Sequence, residues 1–147
     1  MVDVVPVEVR SRMMAGIRAH NTRPELRLRH EMHARGFRYR LHHKNLPGSP
    51  DLVFRRFQTA VFVHGCFWHR HENCKHAAIP KTRPDFWQAK FQANVVRDVR
   101  AQKALIDMGW FVVVVWECAL RADAARVADR LASWMTSDRE TRLIEFE

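Results

Sequence analysis

Residues 110–116 read Trp-Phe-Val-Val-Val-Val-Trp, the longest apolar run in the chain. It is too short to span a bilayer. Unbroken β-branched residues with no polar alternation suit a strand buried on both faces, which requires helices on either side of the sheet. The rest of the 147-residue chain supplies those helices. Thr22-Arg-Pro-Glu25 is a capping box, with Pro24 in the first turn, opening a helix to about Arg35 that turns Leu26, Leu28 and Met32 partly inward before Gly36. Thr82-Arg-Pro-Asp85 repeats the pattern and opens a long helix to about Met108, with Trp87, Phe91, Val95, Val99 and Ile106 expected inward and Gly109 closing it. Ser11 can cap a short helix over residues 12–20, and another is expected from about Ala122 to Met135. Residues 37–41 form a short strand, and residues 51–54 and 59–63 read as a β-hairpin. The order α, α, β, β, β, α, β, α describes one three-layer α/β domain around a mixed sheet. Residues 1–10 form an irregular arm, and residues 136–147 a loose polar tail.

Charge and targeting signals narrow the function. Lys and Arg number 25 against 16 Asp and Glu, a net charge of +9. Such a balance favours a polyanionic partner, because each neutralised phosphate releases condensed counterions. The N-terminal residues lack the pattern of a secretory signal. A cytoplasmic protein is expected, without a membrane partner.

Three groups of residues carry the chemistry. The hairpin is roughly symmetric about Phe57, which sets Asp51 beside Val63, with His64 and His69 just beyond. A carboxylate and a backbone carbonyl are oxygen ligands suited to Mg²⁺, and imidazole suits proton transfer near neutrality. Cys66, His71 and Cys74 are closely spaced, and Cys118 follows the apolar strand. Three thiolates and one imidazole make a closed, structural zinc site; His69 and His76 are alternative imidazoles. Phe67 and Trp68 are adjacent in an irregular loop, and Phe86 and Trp87 open the long helix. Aromatics among basic residues can stack on bases or wedge between base steps.

His64-Gly-Cys-Phe-Trp-His69 follows Leu46-Pro-Gly-Ser-Pro-Asp51. Downstream stand Phe86-Trp87, Asn94-Val, Arg97-Asp98, Gly109-Trp110 and Val115-Trp-Glu-Cys-Ala-Leu-Arg121. In this order, over residues 9–135, the chain resembles the very short patch repair (Vsr) DNA mismatch endonucleases. The resemblance implies a restriction-endonuclease-like fold with a structural zinc. It implies a Mg²⁺ site of the Asp51 carboxylate and the Val63 carbonyl, with Glu25 in the water and metal shell. His69 would activate water, and His64 would stand near the scissile phosphate. Phe67, Trp68 and Trp87 match intercalating aromatics, and Met14 matches a residue inserted from the N-terminal helix. Position 63 is Val where the family pattern has Thr, which a carbonyl ligand survives.

The implied reaction is a nick in one strand of duplex DNA, 5′ to the thymine of a T:G mispair left by deamination of 5-methylcytosine. A monomer associated with a bacterial nucleoid follows, with a functional link to a DNA cytosine-5 methyltransferase and to mismatch-repair and repair-synthesis partners. The competing readings are a nicking or restriction endonuclease acting on unmismatched DNA, a zinc-stabilised binding module, and a small metallohydrolase. Asp51, His64 and His69 argue against a pure binding module. The aromatic pairs and the charge argue against a small-molecule site.

Overall fold

The structure is a computed structural model that describes residues 21–147. The N-terminal arm, the helix expected over residues 12–20 and Met14 lie outside the described residues. The described chain is an α/β layer structure with a five-stranded mixed sheet in the order β1-β2-β3-β4-β5. The strands are β1 (Arg40–Leu41), β2 (Leu52–Phe54), β3 (Thr59–His64), β4 (Phe111–Trp116) and β5 (Leu143–Phe146). The helices are α1 (Arg23–Ala34), α2 (Pro84–Asp107) and α3 (Glu117–Met135). This arrangement is consistent with a restriction-endonuclease-like fold.

The valine run is β4, and the sheet explains why it does not alternate. Val113 and Val115 face a core built with Leu28 and Met32 of α1 and Leu120 and Leu131 of α3. Val112 faces the other way, against Ala60, Phe62 and Leu105 of α2. Thus α1 and α3 cover one face and α2 the other. Strand β4 runs parallel to both β3 and β5, so each of its edges is paired. All four valines have no exposed surface.

The hairpin forms with Leu52 opposite Val61 and Phe54 opposite Thr59. One tight turn (Arg55–Phe57) and a left-handed Gln58, φ 51°, make the connection an even number of residues. The centre therefore falls between Arg56 and Phe57 rather than on Phe57, so Asp51 follows the register to Phe62. The loop over residues 42–50 presses against α2 at Gly48, whose φ is +74°. A Cβ there would lie 2.6 Å from that of Ala101.

Four further expectations are corrected, the first being Leu26 of α1, which is 45% exposed while Leu28 and Met32 are buried. The two Thr-Arg-Pro-acid motifs behave differently. Thr22 accepts from the Glu25 backbone N–H at 3.4 Å, whereas α2 begins after a left-handed Arg83, φ 56°, which provides no side-chain cap. On α2, Val95 and Val99 are exposed, and the inward stripe runs through Trp87, Phe91, Asn94, Asp98, Ala101 and Leu105. The C-terminal segment is not a loose tail: β5 pairs with β4, and Phe146 is buried in the α1/α3 core. Helix α3 opens with a separate turn. Asp123 is extended (φ −165°, ψ 90°), and its carboxylate accepts the Arg126 N–H at 3.0 Å, restarting the helix near the expected position.

Candidate functional site

Strands β3 and β4 are parallel, and their carboxyl ends converge with the start of β2. A cleft of about 1300 Å³ opens there. Crevices at the carboxyl ends of parallel strands are common ligand sites, because the chain leaves the sheet in loops free to carry function.

Asp51 enters this cleft from the foot of β2. Its carboxylate accepts the Val63 backbone N–H at 2.7 Å, so the two expected ligand residues adjoin despite the shifted register. Glu25, in the first turn of α1, is only 2% exposed. Its carboxylate accepts the Asn21 N–H at 3.1 Å and pairs with Arg29. His42 bridges the two acids, with Nε2 3.3 Å from Glu25 and Nδ1 3.7 Å from Asp51. Burial pushes the Asp51 carboxyl up to about 7, against the lowering effect of the Val63 N–H, and Glu25 adds to the rise. Two acids sharing a poorly solvated corner repel when ionised. A hard cation relieves that repulsion, and carboxylate oxygens beside an open cleft suit Mg²⁺, which keeps several waters.

In the same cleft, the His64 and His69 rings stack 3.9 Å apart at 4°. The His69 Nδ1 lies 2.6 Å from the Asp98 carboxylate, and the His64 Nε2 lies 4.0 Å from its other oxygen. With a proton on Nδ1 donated to Asp98, His69 keeps the Nε2 lone pair free. Base oriented by carboxylate is the arrangement of a general base. Burial, and then the adjacent His69, pull the His64 pKa down to about 3, so His64 is neutral at neutral pH.

Helix α2 fastens this loop at two successive residues. Asn94 donates to the Trp68 carbonyl at 3.2 Å, and Asp98 holds His69. Phe67 packs edge-on against Trp68, Trp87 and Phe91. Phe67 and Trp68 are half-buried at the cleft, with the Lys90 ammonium 5.4 Å from the Trp68 ring centroid. Trp87 is 6% exposed, so its ring underlies the pair rather than projecting, while Phe86 at the helix start is exposed.

The four sulfur and nitrogen groups also meet. Ligand atoms of Cys66, His71, Cys74 and Cys118 lie within 4.8 Å of one another. The Cys118 sulfur is 3.5 Å from the His71 Nδ1. A tetrahedron with Zn–S bonds of about 2.3 Å has edges of roughly 3.8 Å. Burial pushes the Cys66 thiol up to about 12 and raises Cys118, while the His76 backbone N–H lowers Cys74. Clustered thiols resist ionising together without a cation, and a bound cation reverses that preference. His69 is committed to Asp98, and His71 is the imidazole among the cysteines.

Residue-by-residue reasoning gave no role to Asp98, Asn94 or His42. The first two were visible as polar residues, at 94 and 98, that continue the helical spacing of Trp87 and Phe91 on α2. His42 follows from extending the β1–β2 pairing, since its N–H donates to the Asp51 carbonyl at 3.1 Å.

Comparison with known proteins covers most of the chain. The family model for DNA mismatch endonuclease Vsr matches residues 2–76. The chain is 48% identical over 120 residues to the type II nicking enzyme V.XorIIP of Xanthomonas oryzae pv. oryzae, covering 82% of this chain and 88% of that one. It is 40% identical over 124 residues to the type II nicking enzyme V.NmeAIP of Neisseria meningitidis, covering 84% and 88%. It is 38% identical over 143 residues to the DNA mismatch endonuclease Vsr of Escherichia coli, covering 94% and 90%. With a family match over half its length and relatives aligned along most of it, the chain belongs to the Vsr DNA mismatch endonuclease family.

Proposed function

We propose that this DNA endonuclease nicks one strand of duplex DNA 5′ to the thymine of a T:G mispair, by Mg²⁺-assisted phosphodiester hydrolysis. The observation that carries the reading is the stacked His64–His69 pair anchored on Asp98, facing the same cleft as Asp51 and adjoining Trp68. His69 Nε2 takes a proton from the attacking water as its oxygen bonds to phosphorus and the bond to the 3′ oxygen breaks. Asp98 holds the ring and offsets the charge it gains. His64, neutral because it is buried, donates a hydrogen bond to a phosphate oxygen. Asp51 and the Val63 carbonyl would hold Mg²⁺, with Glu25 behind them; bound there, the ion supplies stabilisation of charge on the phosphate and the leaving oxygen. Cys66, His71, Cys74 and Cys118 would hold a structural zinc that pins the loop between the two chemistries.

Trp68 and Phe67 form the wedge, with Trp87 supporting them and Met14 added from the N-terminal segment. A mispaired step costs less to unstack, so a wedge discriminates in its favour. Lys44, Lys90, Arg97 and Arg121 line the cleft and are placed for phosphate contacts. One set of catalytic residues per chain suits a monomer that nicks. The substrate links the enzyme to a DNA cytosine-5 methyltransferase and to mismatch-repair and repair-synthesis partners at the bacterial nucleoid.

Two relatives carry the name type II nicking enzyme, which suits a second reading as well, nicking of intact DNA at a defined sequence. Duplexes with and without one T:G pair, in varied contexts with Mg²⁺, separate the two. The mismatch reading expects nicking confined to T:G duplexes. Equal nicking of matched duplexes at one sequence selects the alternative.

A further inference from the structure

The His71 ring has two partners. Its Nδ1 faces the Cys118 sulfur at 3.5 Å, and its Nε2 lies 2.6 Å from the Glu147 carboxylate. A metal on Nδ1 requires the tautomer with its proton on Nε2, and that proton then has Glu147 as its acceptor. A carboxylate on the far nitrogen of a liganding imidazole fixes the ring's tautomer and orientation and raises its basicity. The contact is set by strand register. Phe146 pairs with Val115, so Glu147 arrives level with Trp116. The Trp116 ring stacks on His71 at 4.3 Å and 11°. Side chains alternate along β5: Ile144 and Phe146 pack into the α1/α3 core, and Leu143 packs on the opposite face with Cys66 and Trp116. Glu147 continues the Leu143 row, toward the thiols.

We propose that Glu147 is a positioning residue for the zinc clip, so that β5 latches a metal site whose sulfur ligands all lie upstream of it. The inference rests on the zinc reading above. Its consequence is that zinc retention depends on the pairing of β5 with β4.

The test uses the full chain purified without chelator. Zinc content is measured by elemental analysis, and release is followed with a chromogenic zinc chelator. Glu147→Ala should weaken zinc binding by roughly 10–100-fold. Glu147→Gln, whose amide oxygen still accepts the Nε2–H, should fall between Ala and wild type. Glu145→Ala, on the same strand and exposed, should match wild type. With Co²⁺ in place of zinc, the ligand-field bands should shift in Glu147→Ala and not in Glu145→Ala. Zinc-loaded wild type with unchanged release in Glu147→Ala overturns this inference alone, as does equal loss in both alanine variants. Wild type without zinc overturns the zinc reading and this inference with it.

Discussion

Cys66 and His71 alternate with His64 and His69 along one short loop, yet the two sets end in opposite surroundings. The sulfur set is closed on itself: its four ligand atoms lie within 4.8 Å of one another, and the His71 imidazole also meets Glu147. The oxygen and imidazole set is open. Asp51, His64, His69 and Asp98 all line one cleft, with Glu25 buried and bridged to Asp51 by His42. The closed set can contribute stability. The open set holds a carboxyl pushed up to about 7 and an imidazole pulled down to about 3, both through burial. The Asp51 shift lowers stability once the carboxyl ionises, whereas the His64 shift does so only below the ordinary imidazole range, and shifts of this kind cluster at functional sites.

Substitutions on the open side should break this contrast most sharply. Asp51→Ala should lower Mg²⁺-dependent nicking by about 10³-fold or more, since it removes the side chain proposed to hold the metal. DNA binding measured by gel shift should remain, because phosphate contacts carry it. Full activity in that variant would remove Asp51 from the metal site.

Asp98→Asn should cost roughly 10²–10⁴-fold in the nicking rate, because an amide can favour the wrong His69 tautomer. Single-turnover rates at saturating enzyme check this. An unchanged rate would show that His69 needs no orienting carboxylate.

The stability of the metal-free protein offers a smaller effect of opposite sign. A carboxyl whose folded pKa exceeds its unfolded value is destabilising once ionised. The penalty is fully present above about pH 7 and fades as pH falls toward the unfolded value. Asp51→Asn keeps an acceptor for the Val63 N–H and removes the charge. It should therefore stabilise the metal-free protein at pH 8 by on the order of 2 kcal/mol, and by less at pH 5. Chemical denaturation at the two pH values decides it; destabilisation at pH 8 would contradict the assigned strain.

Much of the contrast was legible in residue order. The loop's ligands, wedge and base are neighbours in sequence, and the uninterrupted valines of β4 announce a strand covered on both faces. What escaped needed long-range pairing. Strand β5 is four residues with Glu145 in its middle, and only its parallel register with β4 across the whole of α3 makes it a strand. The α2 stripe was mis-phased because Val95 and Val99 look like core. The true stripe carries Asn94 and Asp98 because part of that face meets a functional loop rather than a hydrophobic layer. His42 reaches Asp51 only through strand pairing, and Glu147 reaches His71 only through β5.

In the proposed mechanism one loop, pinned by the sulfur cluster and fastened to α2, couples recognition of the mispair to placement of the base catalyst. The direct measurement is the ratio of nicking rates on T:G and T:A duplexes for wild type and Trp68→Ala, at one fixed salt concentration. Loss of the ring should remove roughly 1–3 kcal/mol of stacking. The wild-type ratio should lie far above one, and Trp68→Ala should pull it toward one, with salt-dependent binding retained. A variant that keeps the wild-type ratio would contradict it and assign Trp68 to packing alone.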